Sequence, residues 1–162
     1  MPGYRMENLR VIIVDADPAK RRLEMIRAVL QMLNISMVRE ASDTLRLFQR
    51  LVEFPADLAI AALPPDEGAM LAAAVRRHPS SPKPDLPIVL VSDPMAPDDL
   101  ARVRDAGVNE VLVHPITVKA LVARIDSVMG RPRPFVRRQD FVGPDRRRRG
   151  EDGYRGPDRR KR

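Results

Sequence analysis

The sequence contains no cysteine. That absence excludes disulfides and thiolate chemistry and is compatible with a reducing compartment. Only two histidines occur, and there is no Gly-x-Gly-x-x-Gly or Walker-type loop. Nothing therefore supports a metal hydrolase or a nucleotide-binding enzyme, and no cofactor is expected. No apolar run approaches the length that spans a bilayer. The opening MPGYRMENLR lacks the apolar stretch of a signal peptide. These absences lead to the expectation of a soluble, cytoplasmic, non-enzymatic protein.

What is present is unevenly charged. The 162 residues suit one domain with a complete core and some excess, and the formal net charge is +7. Residues 131–162 carry 13 basic and 5 acidic side chains, a net of +8; residues 1–130 carry 16 and 17, a net of −1. A near-neutral body thus bears a strongly basic tail, and attraction to phosphate or acidic surfaces belongs to that tail.

The body alternates short apolar runs with longer amphipathic ones. LRVIIVD (9–15) is β-branched and continuous, as in a strand buried on both faces. Asp17-Pro18 then supplies a cap and a first-turn proline for a helix presenting Leu23, Ile26, Val29, Leu30 and Leu33 on one face. Strands are expected at 35–41, 57–63, 87–92 and 110–113. Helices are expected from Ser42 as cap through Val52, from Glu67 to His78, from Pro97 to Asp105 and over 117–129. Gly107 suits a left-handed position after the fourth helix. Five strands each followed by a helix imply parallel neighbours and right-handed crossovers. The expected fold is α/β, a doubly wound five-stranded parallel sheet of flavodoxin-like order 2-1-3-4-5. In such sheets the site lies at the carboxyl ends of the strands, which groups Asp15, Ala62, Ser92 and His114 around one crevice.

VIIVDADPAKRR, DLAIAAL, PIVLVSD and AGVNEVLVHPITVKALVARI stand in the order found in two-component receivers. Over residues 9–130 the chain resembles a CheY-like receiver domain of response regulators. The resemblance implies a phospho-accepting aspartate at the end of the third strand, five residues beyond the Asp that opens it. Counting from Asp57 reaches Ala62, which has no nucleophilic oxygen. The family also places two adjacent acids after the first strand, one of them a magnesium ligand. Here Asp15 is followed by Ala16, with Asp17 one place beyond. Two of the usual carboxylates are gone from a site that needs several oxygens, so no metal is expected. Ser92 keeps the hydroxyl that contacts the phosphoryl group, with Asp93 in place of a small residue. His114 replaces a lysine before proline, and Val111 stands where a switch aromatic is often found. The implied protein is a pseudo-receiver.

Each survivor has a plainer reading. Asp15 at a strand end can accept backbone hydrogen bonds, and His114 can be a pH sensor or simply a loop histidine. Asp66 and Glu67 suit the start of a helix dipole, and His78 its end.

Pro132 and Pro134 end the last helix. Residues 131–162 are expected to be disordered or pinned to a partner, since they have few aliphatic side chains of their own. They contain one phrase twice, FVGPDRRRR (141–149) and YRGPDRRKR (154–162). The shared pattern is an aromatic, a Gly-Pro bend, an Asp and a run of arginines. The expected binding residues are Phe141, Asp145, Arg146 and Arg147 in the first copy, and Tyr154, Asp158, Arg159 and Arg160 in the second. Two copies of one binding unit give avidity. Three ligands fit: an acidic protein surface with aromatic pockets, nucleic acid, or a guanine dinucleotide such as cyclic di-GMP. A solvated basic tail is the plainer alternative. The function expected is that of a receiver-like adaptor binding a signalling protein, with homodimerisation open. The rival is nucleic-acid or cyclic-dinucleotide binding through the tail.

Overall fold

The computed structural model describes residues 3–147. After a 3-10 turn at Met6–Asn8 come β1 (Arg10–Asp15), α1 (Arg21–Met32), β2 (Met37–Ala41), α2 (Thr44–Glu53), β3 (Leu58–Ala62) and α3 (Pro65–Arg77). They are followed by β4 (Ile88–Ser92), α4 (Pro97–Asp105), β5 (Glu110–Val113) and α5 (Val118–Ile125), which runs into a π turn at Asp126–Gly130. Two short strands close the described chain, β6 (Phe135–Arg137) and β7 (Val142–Pro144).

The first five strands form one parallel sheet in the order β2-β1-β3-β4-β5. Strands β1, β3 and β4 are buried almost throughout because helices cover both faces. On one face Leu23, Ile26 and Leu30 of α1 and Leu121 and Ile125 of α5 pack with Val11, Ile13 and Ile60. On the other, Leu47 and Leu51 of α2, Leu71 and Val75 of α3 and Val103 of α4 pack with Ile12, Val14 and Leu90. The architecture is the doubly wound one expected. Among the described residues no helix is long and apolar enough to cross a membrane.

Three local features depart from the sequence reading. Helix α1 starts at Arg21 behind a left-handed Lys20, with no side-chain cap from the preceding residue. Asp17 instead closes a small turn, its Oδ1 accepting from Ala19 N at 2.9 Å. The third amide of the helix, Leu23 N, is capped by the more distant Asp15 Oδ2 at 3.1 Å. The cap of α2 is Asp43 rather than Ser42: Asp43 Oδ1 accepts from Arg46 N at 2.8 Å, while Ser42 Oγ donates to its other oxygen. Helix α3 takes in the Pro-Asp-Glu-Gly stretch as its first turn, with Pro65 at its start, where a missing N–H costs nothing.

The largest departure is the tail. Residues 131–147, expected to be disordered or pinned to a partner, lie against the chain's own body. Strands β6 and β7 pair antiparallel, Phe135 with Pro144, Val136 with Gly143 and Arg137 with Val142. Gly143-Pro144 lies in a strand, and the bend falls earlier, where Arg138 N donates to Phe141 O and Phe141 N to Arg138 O. The segment has no core of its own, but it adds to the body's: Phe141 is only 5% exposed. The body therefore reaches to 147 rather than 130. Tyr154, Asp158, Arg159 and Arg160 of the second phrase lie outside the described residues.

Candidate functional site

The register of the sheet sets Asp15 and Ala62 side by side in one cleft, whereas Ser92 and His114 are not among that cleft's lining residues. Asp15 ends β1 and pairs with Ala62 at the end of β3. Ser92 ends β4, and its carbonyl accepts from His114 N at 3.1 Å in the loop after β5. His114 and Pro115 are joined by a cis peptide. A cleft of about 320 Å³ is lined by Asp15, Ala16, Asp17, Arg22, Ala62 and Glu67. Asp57, from which Ala62 was counted, sits at the far end of β3. It accepts Arg10 N at 2.9 Å and pairs with that arginine's guanidinium.

The carboxylate of Asp15 is nine-tenths buried, and each of its oxygens accepts one amide. Its Oδ1 accepts from Asp17 N at 2.8 Å and its Oδ2 from Leu23 N at 3.1 Å. Both bonds tie the end of β1 to the start of α1. A cationic side chain of the protein lines this cleft. Arg22, on the first turn of α1, reaches across to Asp93 after β4, with Nη2 and Oδ2 2.7 Å apart. A divalent ion at the receiver position needs several oxygens. Here Asp15 accepts from two amides, Ala16 and Ala62 offer methyl groups, and among the described residues Asp15, Asp17 and Glu67 do not converge into a group able to hold a metal ion. These residues do not fit magnesium. Two polar atoms at the strand ends, Ser92 Oγ and His114 Nε2, are buried without a hydrogen-bond partner.

The second cluster lies at the corner between α4 and β5, and its centre is a residue the sequence reading passed over. Arg76, in the last turn of α3, is 2% exposed. Its Nε and Nη2 donate to Gly107 O at 3.1 and 2.8 Å, and its Nη1 to Pro84 O at 2.8 Å and Leu86 O at 2.7 Å. Nη2 also donates to Asn109 Oδ1 at 2.9 Å, and that oxygen accepts from Ile88 N as well. Burial pulls the guanidinium down to about 10, against the opposing charge of Asp85. It stays charged at neutral pH and staples the end of α3 to the loops before β4 and β5. A signal existed in the sequence: Arg76 falls one residue after Val75 on the buried face of α3, where a solvated arginine is out of place.

Gly107 has φ +106°, and a Cβ there would meet Arg76 Cγ at 2.8 Å and Val142 O at 3.0 Å. The hairpin sits directly on this glycine. A Cβ on Gly143 would lie 2.9 Å from Gly107 Cα, so the two backbones touch. Phe141 is buried beside them, with the Arg146 guanidinium 4.5 Å from its ring centre. Arg146 Nη1 bonds Asp105 Oδ1 at 2.6 Å. Phe135 lies under Arg76, 5.5 Å from ring centre to guanidinium carbon. Arg133 donates to Asn109 O, and to Asp145 O at 3.1 Å. Asp145 serves its own segment: its amide donates to Pro134 O and its Oδ1 accepts from Arg147 N at 3.0 Å. Of the first-phrase residues, Phe141 and Arg146 thus grip the body, while Asp145 and Arg147 shape the strap. Beside them Arg104, Arg124, Arg133 and Arg146 surround a groove of about 390 Å³.

The model of the response regulator receiver domain matches residues 11–126. The chain belongs to that family. Its members act in two-component signalling and engage other proteins such as kinases. No curated protein sequence matches the chain. Among solved structures, a putative response regulator from Chloroflexus aurantiacus J-10-fl is 25% identical. It superposes with a TM-score of 0.63 over 75% of this chain and 97% of that one. Chemotaxis protein CheY4 of Vibrio cholerae is 21% identical, TM-score 0.61, covering 74% and 98%. The receiver domain of a sensor histidine kinase from Pseudomonas aeruginosa PAO1 is 17% identical, TM-score 0.60, covering 75% and 98%. That protein has a magnesium ion coordinated in its active-site cleft. The hairpin at 135–144 falls outside the span matched by the family.

Proposed function

We propose that this receiver has left phosphotransfer and works as an adaptor in two-component or related signalling, binding a protein through its body and its repeated arginine-rich tail. One observation carries the reading. Asp15 spends both carboxylate oxygens on backbone amides opposite an alanine, and Arg22 with Asp93 bridges the cleft above them. With alanine at 62 the cleft offers no carboxylate at the end of β3 to act as nucleophile for a phosphoryl group. Control then passes to abundance, partner occupancy or a bound ligand that distinguishes two states.

Two measurements test it. Incubation with acetyl phosphate and magnesium, followed by intact mass, should leave the chain unmodified; an added phosphoryl group overturns the proposal. A native pull-down should retain a protein partner through a high-salt wash, and retain it less with a chain lacking residues 148–162. A second reading, nucleic acid or a cyclic dinucleotide held by the tail, is favoured by the four arginines around one groove. It predicts binding that falls steeply with salt.

A further inference from the structure

The first copy of the repeated phrase reveals what that phrase can hold. It holds the α4–β5 corner of a receiver. Four elements of the grip are on view: an aromatic seated in the core edge (Phe141), a glycine backbone against Gly107, an arginine on Asp105, and an aspartate bracing the strap. The second copy repeats each of them in order, as Tyr154, Gly156, Asp158 and Arg159, with Pro157 in the place of Pro144. The one marked difference, Arg155 for Val142, falls where the corner is met by a main-chain carbonyl, which any residue supplies. The sequence therefore carries the phrase twice, and the described residues contain one socket that holds it.

The first plug is the nearer one. It is tethered to the body by a few residues, and such a tether confers an effective concentration in the millimolar range. The second follows it after six residues, 148–153, a reach of at most about 20 Å. The corner of this chain's own body is already filled by the first. The socket itself is built within the span that the family shares: the end of α4, a positive-φ glycine and the start of β5. An acid two residues before such a glycine is what the arginine of the phrase requires.

We infer that residues 154–160 are a docking arm for a second receiver domain, gripped at its α4–β5 corner as residues 141–147 grip the corner here. This deepens the adaptor reading by naming the kind of partner, and rests on it. The two copies then place two receiver corners side by side, one from this chain and one from its partner.

The test uses this chain as the receiver, with its own plugs removed. In full-length Gly143→Val/Gly156→Val the added Cβ at 143 collides with the Gly107 backbone and lifts the first plug, while the second is disabled equally. Phe141→Ala/Tyr154→Ala, which removes atoms and adds none, replaces it should the valine chain melt without a cooperative transition. A labelled peptide of residues 150–162 is titrated into this vacated chain and into the intact one at fixed ionic strength. The expected result is binding at least tenfold tighter to the vacated chain. That binding should fall at least tenfold when Asp105→Arg is added to the vacated chain, or Arg159→Glu to the peptide. Equal affinity for intact and vacated chains would make the arm a general electrostatic tail and overturn the proposal. So would binding that survives Asp105→Arg, or no binding to the vacated chain. None of these outcomes touches the phosphoryl-mass result, so failure here and failure of the adaptor reading remain distinguishable.

Discussion

Replacing Arg76 by methionine keeps an unbranched apolar stem and removes every donor. Five hydrogen bonds are lost, to three backbone carbonyls and to Asn109 Oδ1. Asn109 keeps its bond from Ile88 N and Pro84 O lies nearer water, so the damage concentrates at Gly107 O and Leu86 O. A buried acceptor left unsatisfied costs about 1–3 kcal/mol, giving roughly 2–6 kcal/mol for the two. Relief from burying a guanidinium offsets part of that. The expected net loss is about 3 kcal/mol, a large share of the about 5–15 kcal/mol that holds a domain of this kind. At about 2–4 °C per kcal/mol for a chain of this size, Tm should fall by roughly 6–12 °C. Differential scanning calorimetry reads it directly. Lysine at 76 should recover less than half, because an ammonium cannot span three carbonyls on two segments as a planar fork does. A methionine variant melting within about 3 °C of the parent would refute the view that Arg76 is the staple of this corner.

Other outcomes follow from the same structure. Phe141→Ala should release the hairpin, since a two-stranded ribbon of this length does not stand alone. Hydrogen exchange should then show amides of 135–145 losing protection while β1, β3 and β4 keep theirs, with Tm lowered by only a few degrees. Ala62→Asp puts a second carboxylate opposite buried Asp15 and should cost about 1–3 kcal/mol. Thermal melts should show no rescue by millimolar magnesium; rescue would mean that the cleft still accepts the ion. The Asp43 carboxyl is held below its ordinary range chiefly by the Arg46 amide, so its contribution is complete above about pH 4 and fades as pH falls through the lowered value. Asp43→Ala should therefore cost about 1 kcal/mol at pH 7, and urea melts should show the gap closing at pH 3.

The sheet was legible from the chain alone because its signals are local. Continuous apolar runs marked β1, β3 and β4, helical spacing marked the buried faces of α1 and α5, and the alternation of the two set the parallel order. The alanine at 62 and the loss of a neighbour to Asp15 were equally plain, since both are read by counting. The bonds of Asp15 to the amides of Asp17 and Leu23, and the reach of Arg22 to Asp93, were not. Each depends on how closely the start of α1 approaches the strand ends.

The same division runs through the tail. Its composition, with few aliphatic side chains, implied that residues 131–147 lack a core of their own. Only the tertiary structure decided that they are ordered, because the surface that orders them, Gly107 with Asp105 and the Phe135-bearing side of Arg76, is assembled from segments about 30 residues and more away in sequence. Arg76 illustrates the reason. Its place beside Val75 on the buried stripe of α3 is legible in the sequence, but its acceptors exist as a set only once β4 and β5 lie side by side. Local periodicity specifies elements; the pairing of a buried donor with distant carbonyls is specified by their packing.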